Sequence, residues 1–453
     1  MKAESGNAPP RNARIAIVLI PFIDGEANDR EPDAREAEAV GLAAAIGLEV
    51  PAAEQIRIRA PKPATLFSNR VLDDIDALAA DLGAGLAIVD GPLTPVQQRN
   101  LERRWSLKVI DRTGLILEIF GARAQTAEGK LQVELAALQY QRSRLVRSWT
   151  HLERQRGGLG FIGGPGESQL EIDRRLIDTR IDRIGKDLEQ VRRTRGLHRD
   201  ARARVPYPVI ALVGYTNAGK STLFNRLSGA DVMAEDLLFA TLDPTMRAID
   251  LAPDLRVIMS DTVGFVSNLP TTLVAAFRAT LEEVTNADWI LHVRDAAHAD
   301  TDAQRADVEA VLTDLGIDTA NDPRLIEVLN KADQLSVEGE NLAITAAQRR
   351  RSADYRDRVV SVSAITGEGC DQLIRLLAML QRQKHCVLTF QVPYARGEVQ
   401  AWLYDRGQVL ERHDHDHQLE MVVALPQDDL ARFSARFPDI AHAPAPALET
   451  AAE

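Results

Sequence analysis

Residues 214–221 read GYTNAGKS, which is the spacing of a phosphate-binding loop, GxxxxGK[ST]. An apolar run at residues 209–213 precedes them and is predicted to form a buried strand. The glycines let backbone N–H groups and the N-terminus of the next helix surround phosphate oxygens. The alternative is a glycine-rich turn before a helix. The residues predicted to contact the phosphates are Gly214, Tyr215, Thr216, Asn217, Ala218, Gly219, Lys220 and Ser221.

Within this loop, two side chains have predicted roles. Lys220 is expected to contact the β- and γ-phosphates, and the Ser221 hydroxyl is expected to bind Mg²⁺. A second motif, SDTVGF, ends another apolar strand. Its aspartate, Asp261, lies forty residues after Ser221 and suits the strand-end carboxylate that holds Mg²⁺ through water. Gly264 could donate its N–H to the γ-phosphate. The candidate residues of this motif are Asp261, Thr262, Val263 and Gly264.

Two further motifs indicate which base is bound. The sequence NKAD ends a predicted strand, and its carboxylate, Asp333, can accept two hydrogen bonds from guanine N1–H and N2–H₂, a pair of donors that adenine lacks. In SVSA, a backbone N–H near Ala364 can meet guanine O6. NKAD alone could be a polar turn between a strand and a helix, but the four motifs in this order predict a guanine nucleotide. The candidate base-contacting residues are Asn330, Lys331, Ala332, Asp333, Ser363, Ala364 and Ile365.

A candidate mobile loop, LLFATLDPT, lies between the first two motifs. Thr241 stands twenty residues after Ser221 and is predicted to be the second Mg²⁺ ligand, with Thr245 as the alternative. Lys220, Thr241 and Gly264 are the predicted catalytic residues. The candidate contacts from this loop are Phe239, Ala240, Thr241, Leu242 and Asp243.

Phe265 follows DTVG, where many signalling GTPases carry a glutamine that positions the attacking water. A phenyl ring cannot form the hydrogen bonds that orient this water. We therefore expect hydrolysis to be slow in the isolated protein and to be completed by a partner.

Composition is that of an ordinary globular protein, with 45% apolar and 26% charged residues in 453. No apolar run reaches the roughly 18 residues that span a bilayer, and two cysteines argue against a disulfide framework. The pattern predicts a cytoplasmic protein without stable membrane insertion.

The net charge of −12 taken alone argues against a nucleic-acid partner, but the charge is uneven. Residues 131–204 hold 15 Arg and 1 Lys against 10 Asp and Glu, a net of +6, so the remaining residues carry −18. Arginine suits phosphate because its planar guanidinium can donate two hydrogen bonds at once. The alternative is a solvated helical face with many ion pairs.

Apolar periodicity predicts a multidomain α/β protein. Leucines and isoleucines with heptad-like spacing flank the sequence GGLGFIGGPGESQ, which must break a helix, so two helices are expected to fold back on each other with a glycine-rich tip. The predicted segments are a disordered start (1–12), an N-terminal α/β domain (13–122), an arginine-rich antiparallel helical hairpin (123–203), a P-loop GTPase domain (204–384), a C-terminal α+β module (385–440) and a disordered tail (441–453).

Strands and helices alternate in the two larger segments. Strands at 14–20, 86–90 and 107–110, with helices at 34–45 and 71–82, are predicted for the N-terminal domain. A doubly wound sheet with strands 209–213, 257–261, 289–295, 325–330 and 359–363 is predicted for the nucleotide domain. The C-terminal module is predicted to have strands 387–392, 400–404 and 418–424, and a helix from Gln427.

These motifs, together with RNLERRWSLKVIDRTGLILEIF, GKLQVELAALQY and GGPGESQLEIDRR, resemble the HflX family of ribosome-associated GTPases. The resemblance covers most of residues 13–385, and the GGPGESQLE loop distinguishes this family from other GTPases with a hydrophobic residue after DxxG. It implies a cytoplasmic, Mg²⁺-dependent enzyme that converts GTP to GDP, binds the 50S ribosomal subunit and is stimulated by it. It also implies splitting or rescue of stalled ribosomes, with the hairpin contacting rRNA.

We expect a monomer with no DNA partner and at most loose membrane association. Family members commonly carry a GxGK-type stretch in the N-terminal domain, but residues 63–74 here lack the glycines and lysine, which argues against a second nucleotide site. The run His413-Asp-His-Asp-His417 could bind a transition metal or could be a solvated hairpin. The competing function is a guanine-nucleotide switch that recruits a protein effector without binding RNA.

Overall fold

A computed structural model describes residues 11–25, 30–155, 169–202, 207–229, 238–239, 245–253, 255–267, 283–415 and 418–444. Two compact units can be distinguished. The first consists of residues 1–192, 210–247 and 259–368, and the second of residues 193–209, 248–258 and 369–453. Among the helices of the described residues, none is long and apolar enough to cross a membrane.

The N-terminal part of the first unit is a four-stranded parallel sheet in the order β2-β1-β3-β4. Its elements are β1 (Asn12–Ile23), α1 (Pro32–Ala44), β2 (Glu49–Ile58), α2 (Asn69–Leu82), β3 (Ala84–Val89), α3 (Pro95–Trp105), β4 (Lys108–Asp111) and α4 (Arg112–Arg123). The predicted parallel α/β character is confirmed, and β2 is a strand that the sequence pattern did not indicate. The carboxyl ends of these strands lie at one edge, so Asp90 and Asp111 come close to one another there.

Local sequence signals fix the helix ends in this sheet. The Thr94 side chain accepts a hydrogen bond from the Gln97 backbone, and the Gln97 side chain accepts one from the Thr94 backbone, so a capping box starts α3. Asp111 caps α4 by accepting from the N–H of Gly114 at 2.9 Å. Trp105 closes the core at the end of α3, fully buried, with its indole N–H donating to Leu72 O at 3.0 Å.

Two long helices follow, α5 (Ala127–Gln155) and α6 (Gln169–Arg202), as the heptad spacing predicts. Arg142 pairs with Asp178 and Arg180 pairs with Glu134, so the helices run in opposite directions. Ile184 is fully buried. The predicted glycine-rich tip falls on residues 156–168, outside the described residues.

The nucleotide sheet has six strands in the order β10-β9-β8-β5-β7-β6, and β5, β8, β9 and β10 are parallel. The elements are β5 (Val209–Gly214), α7 (Lys220–Ser228), β6 (Thr245–Ala252), β7 (Leu255–Asp261), β8 (Trp289–Asp295), α8 (Thr301–Asp314), β9 (Leu325–Asn330), α9 (Val337–Arg350) and β10 (Val359–Ser361). All five predicted strands are present, and β6 is additional. The predicted doubly wound sheet is confirmed.

After α10 (Cys370–Lys384), the second unit ends in a four-stranded antiparallel sheet, β12-β13-β11-β14. Its elements are β11 (His385–Pro393), α11 (Gly397–Arg406), β12 (Gln408–Asp414), β13 (Gln418–Pro426), α12 (Gln427–Arg436) and β14 (His442–Pro444). This βαββαβ order is ferredoxin-like, which confirms the predicted α+β character.

Two predictions for this sheet are wrong. The predicted strand 400–404 lies inside α11, because Val399 and Leu403, four residues apart, both point into the core. Residues 442–444, predicted to belong to a disordered tail, pair with β11, which gives their backbone a hydrogen-bonded partner. His413 lies on β12 and His415 follows it, while 416–417 are outside the described residues, so the predicted metal site is not tested.

Candidate nucleotide-binding site

The predicted phosphate-binding loop connects the buried strand β5 to α7, which begins at Lys220. A Cβ atom on Gly214 would lie 2.1 Å from Val293 O, and one on Gly219 would lie 2.2 Å from Asn330 Nδ2. Gly219 has φ +87° and the exposed Asn217 has φ +60°, both in the left-handed region. Only glycine therefore fits at positions 214 and 219.

Lys220 lies inside the curve of this loop, with only 6% of the residue exposed. Its Nζ donates a hydrogen bond to Tyr215 O at 2.7 Å. Burial disfavours the charged amine and lowers its pKa to about 8, an effect that Asp261 partly opposes. A buried ammonium group at this position can be compensated by a phosphate anion.

Ser221 and Asp261 place two oxygen donors side by side. Ser221 Oγ donates to Asp261 Oδ2 at 2.7 Å. A hydroxyl and a carboxylate are hard oxygen ligands of the kind that Mg²⁺ takes, directly or through water, so the residues present fit the predicted metal. Thr262 and Val263, which follow Asp261, are buried, and Thr262 Oγ1 donates to Leu212 O at 2.5 Å.

The segment after Asp261 pairs with the phosphate-binding loop. Thr216 N–H donates to Phe265 O at 2.7 Å, and Phe265 N–H donates to Gly214 O at 3.1 Å. A Cβ on Gly264 would lie 2.9 Å from Lys220 Nζ and 2.9 Å from Thr216 Cγ2, so this glycine is in close contact with the loop. Phe265 is buried. The backbone of DTVGF thus lies against the predicted γ-phosphate position, while the phenyl ring is packed inside the protein.

At the predicted base-binding end, Asn330 links two loops. Its Nδ2 donates to Ala218 O at 2.8 Å, and its Oδ1 accepts from the N–H of Ala364 at 3.0 Å. The structure therefore brings the phosphate-binding loop, NKAD and SVSA together, with Asn330 as the connection between them.

The other predicted base-contacting residues surround this connection. Asp333 is exposed on a short 3₁₀ turn, Ala332–Gln334, while Ala332 itself is buried. Lys331, with φ +64°, forms an ion pair with Asp295 at 2.7 Å. Ser363 is buried and its Oγ accepts from the N–H of Thr366 at 3.1 Å. Ile365 is exposed beside Ala364.

Arg226 is a residue of this region that sequence reasoning missed. Its guanidinium donates to Ala364 O at 3.1 Å and to Ile365 O, which holds the SVSA loop against α7. A basic residue in the helix after a phosphate-binding loop is too common a signal to have identified it.

The candidate mobile loop is described only in part. Ala240, Thr241, Leu242 and Asp243 lie outside the described residues, as does residue 244. The ring of Phe239 is buried and meets the ring of Phe120 on α4 edge to face, with centroids 4.7 Å apart. The Leu238 side chain lies 3.2 Å from the Cβ position of Gly41 on α1. Leu238 and Phe239, the described residues between 237 and 244, therefore pack against α1 and α4.

Sequence reasoning also missed a polar cluster at the carboxyl edge of the N-terminal sheet. The Tyr215 hydroxyl donates to Glu38 Oε2 at 2.5 Å and accepts from the N–H of Ser267 at 2.7 Å. Arg112 donates to Ser267 Oγ at 2.6 Å and to Ser267 O at 3.2 Å, and forms buried ion pairs with Glu38 and Asp90. The phosphate-binding loop and the segment after Gly264 are thus both bound to α1 and α4.

The charges of this cluster compensate one another. Burial acts to raise the pKa of Glu38, but attraction to Arg112 and Arg30 outweighs burial, so the pKa lies below its usual value. Burial and the neighbouring Glu38 raise the pKa of Tyr215, so its hydroxyl remains a proton donor at neutral pH. Arg30 lies over the Tyr215 ring, 5.2 Å from its centroid.

Comparisons with known proteins cover all of these segments. Residues 33–121 match the family described as GTP-binding GTPase N-terminal, and residues 123–202 match GTP-binding GTPase Middle Region. Residues 209–331 match the family described as 50S ribosome-binding GTPase, and residues 348–445 match HflX C-terminal domain. A Magnetococcus marinus protein named GTPase HflX is 46% identical over 432 residues, which are 95% of this chain and 95% of that protein.

The chain belongs to the HflX family of GTPases. The HflX GTPase of Escherichia coli K12 is 42% identical over 382 residues, 84% of this chain and 87% of that protein. The crystal structure of SsGBP with GDP has a TM-score of 0.48 and 23% identity, covering 82% of this chain and 98% of that chain. As an HflX GTPase, the chain binds GTP and hydrolyses it to GDP and phosphate.

Proposed function

We propose that this HflX GTPase binds Mg²⁺–GTP at the described site, associates with the 50S ribosomal subunit, and acts in splitting or rescuing stalled ribosomes. Its hydrolysis is slow alone and is stimulated by the ribosome. The observation that carries the proposal is the convergence of the phosphate-binding loop, DTVGF, NKAD and SVSA at the carboxyl edge of one sheet, beside a domain with an arginine-rich hairpin.

We base the proposed residue roles on this geometry together with the sequence motifs, and the role of Thr241, which lies outside the described residues, on its spacing alone. Lys220 neutralises charge on the β- and γ-phosphates, and the Gly264 N–H binds the γ-phosphate. Ser221 and Thr241 would hold Mg²⁺, with Asp261 acting through water. When bound, the metal withdraws charge from the phosphates. Asp333 accepts from guanine, and Asn330 keeps its two loops together.

Phe265 supports the need for a partner. Its ring is buried and cannot hydrogen-bond to an attacking water. We expect Phe265→Ala to leave turnover of the isolated protein low and 50S subunits to raise wild-type turnover by at least tenfold. A high turnover of the isolated protein, unchanged by 50S subunits, would argue against this role of the partner.

The hairpin's charges support an RNA contact. Some hairpin arginines are engaged in ion pairs, such as Arg142 with Asp178 and Arg180 with Glu134. Arg183 and Lys186, one turn apart on α6, are exposed and have no ion-pair or hydrogen-bond partner among the described residues. These two side chains can bind phosphates without breaking an ion pair within the described part of the protein.

Co-sedimentation with purified 50S subunits tests the proposal. The protein should pellet with 50S subunits in a non-hydrolysable GTP analogue and much less in GDP. Binding should weaken steeply with salt, with a log–log slope near the number of phosphate contacts. The double variant Arg183→Glu, Lys186→Glu should reduce binding by about tenfold or more and lower the slope by about 2.

A control is Arg70→Glu on α2, whose side chain is 92% exposed and lies 3.8 Å from Asp74 in a solvent-exposed ion pair. It changes the charge by the same amount per residue and should bind like wild type. If the protein pellets with 50S subunits in neither nucleotide state, the proposed ribosome association is refuted. A guanine-nucleotide switch that recruits a protein effector would then be the better-supported function.

A further inference from the structure

A groove of about 730 Å³ lies between α3 and the two hairpin helices. One wall is formed by α3 with Val96 and Arg99, and the other by α5 and α6 with Arg144, Leu145, Leu176 and Ile177. This volume is within the range of sites that hold a nucleotide-sized ligand.

The groove combines apolar surface with one cation among its lining residues, Arg99, that is unpaired among the described residues, and a second such cation lies one turn further along α3. Leu176 is 61% exposed, and the exposure of this apolar side chain to water is unfavourable. Arg99 and its neighbour one turn later, Arg103, are exposed and have no hydrogen-bond or ion-pair partner within the part of the chain that the structure describes. Glu102, the acid that lines the groove, accepts a hydrogen bond from the N–H of Val109 at 3.3 Å.

An unpaired RNA segment matches this surface. Its bases offer flat apolar faces that stack on aliphatic and guanidinium groups, and its phosphates complement the arginines. A basic protein segment would be repelled by Arg99 and Arg103, and an uncharged apolar one would leave both cations without a partner.

Arg144, which also lines the groove, is held by three partners. It forms an ion pair with Asp111, donates to Gln98, and lies over the Tyr140 ring, 4.3 Å from its centroid. The Tyr140 hydroxyl donates to Asp111 Oδ1 at 2.5 Å. Asp111 therefore receives two hairpin side chains while it also caps α4.

The next residue in the chain leads to the nucleotide site. Arg112 donates two hydrogen bonds to Ser267, at 2.6 and 3.2 Å, and Ser267 is three residues after Gly264. A shift of Asp111 at the start of α4 must move the Arg112 backbone with it, because the two residues share a peptide bond. The groove and the segment after Gly264 are thus connected through consecutive residues.

We propose that this groove binds an unpaired segment of ribosomal RNA, and that Asp111 and Arg112 couple its occupation to the segment after Gly264. The inference rests on the proposed association with the 50S subunit. Coupling of this kind is reciprocal: if RNA binding favours the GTP-bound arrangement, GTP raises the affinity for RNA by the same factor.

The occupant is tested by cross-linking. The photo-reactive residue p-benzoylphenylalanine is placed at position 176 of the full chain, which is irradiated with 50S subunits and a non-hydrolysable GTP analogue. A cross-link to rRNA supports the proposal. A cross-link to a ribosomal protein, to a second copy of the chain, or to nothing overturns it.

The contribution of the groove is tested by Arg99→Glu, with Arg70→Glu as the control. Arg99→Glu should weaken 50S binding about tenfold and lower the salt slope by about 1, whereas the control should do neither. If wild type pellets with 50S subunits but Arg99→Glu binds equally well, the groove proposal fails and the proposed function stands. If wild type does not pellet, both fail.

Coupling is tested by Tyr140→Phe, which removes only the hydroxyl bound to Asp111. The measured quantity is the ratio of 50S affinities in the GTP analogue and in GDP. This ratio should fall by about fivefold or more, and 50S stimulation of hydrolysis should fall with it, while the cross-link from position 176 is retained. An unchanged ratio would refute the coupling. Thermal unfolding of the variant guards against a loss of fold.

Discussion

Replacing Asn330 by alanine should weaken the binding of GTP and GDP by the same factor. The wild-type amide donates to Ala218 O and accepts from Ala364 N–H, at 2.8 and 3.0 Å, and only 2% of the residue is exposed. A neutral hydrogen bond contributes about 0.5–1.5 kcal/mol, and a buried polar group left without a partner costs about 1–3 kcal/mol. Because the loops relax in part, we estimate that holding both loops in place costs about 2–4 kcal/mol more in the variant. Nucleotide binding must then supply this free energy, which sets an upper limit of about 30-fold to 1000-fold on the rise in Kd.

The assay is titration of the full chain with GDP, GTP and the xanthine nucleotide, by calorimetry or with a fluorescent analogue. Asn330→Ala should leave the preference for guanine over xanthine unchanged, because the hydrogen bonds of its amide position both loops, although the sequence placed Asn330 among the candidate base-contacting residues. Asp333→Asn is the matched comparison and should shift preference toward xanthine, because it changes a group predicted to touch the base. A Kd for Asn330→Ala within threefold of wild type, or a change in base preference, would refute the positioning role.

Three further predictions concern the phosphate end. Gly264→Ala places a methyl group 2.9 Å from both Lys220 Nζ and Thr216 Cγ2. Turnover in the presence of 50S subunits should therefore fall about 100-fold. Turnover within threefold of wild type would contradict the close contact of Gly264 with the phosphate-binding loop. Without nucleotide, burial lowers the pKa of Lys220 to about 8, and bound phosphate favours the ammonium form and raises that pKa. Above pH 8, GDP binding therefore takes up a proton, and log Kd for GDP should rise by up to one per pH unit. A Kd that stays constant up to pH 10 would argue against this role of Lys220. Ser221→Ala removes a predicted metal ligand, so the ratio of GDP affinities with Mg²⁺ and with a chelator should approach one, and a ratio equal to wild type would exclude Ser221 as a ligand.

Local patterns predicted the loops of the nucleotide site because each loop follows a strongly apolar strand and carries several residues with fixed spacing. The sheet then brings loops that are far apart in sequence to one edge, which is a property of parallel strands and needs no detailed packing. For the same reason the parallel character of the N-terminal sheet could be predicted from three of its four strands. The fourth, β2, contains Pro51 and a mixed run of small and charged residues, so it gives no clear period.

The sequence could not predict contacts set by packing between distant elements. Tyr215 and Glu38 are separated by 177 residues, and neither has a local pattern that points to the other. The wrong strand at 400–404 has a similar cause, because VQAWLY is a short, largely apolar run that suits either element. Only the core around Val399 and Leu403 decides for a helix.

The tyrosine at the second position of the phosphate-binding loop has a consequence for protein engineering. A nucleotide domain cut out near residue 207 would expose the Tyr215 ring and strip partners from Tyr215 Oη and Ser267 Oγ, which in the whole chain are bound by α1 and α4. Such a fragment would have a different loop environment, so its turnover could not be read as that of the same domain without a neighbour. In a functional chimera, four residues would have to come from the same parent protein: Glu38, Arg112, Tyr215 and Ser267. The junctions of a chimera therefore have to be chosen to keep these four residues together, and not by the domain boundary alone.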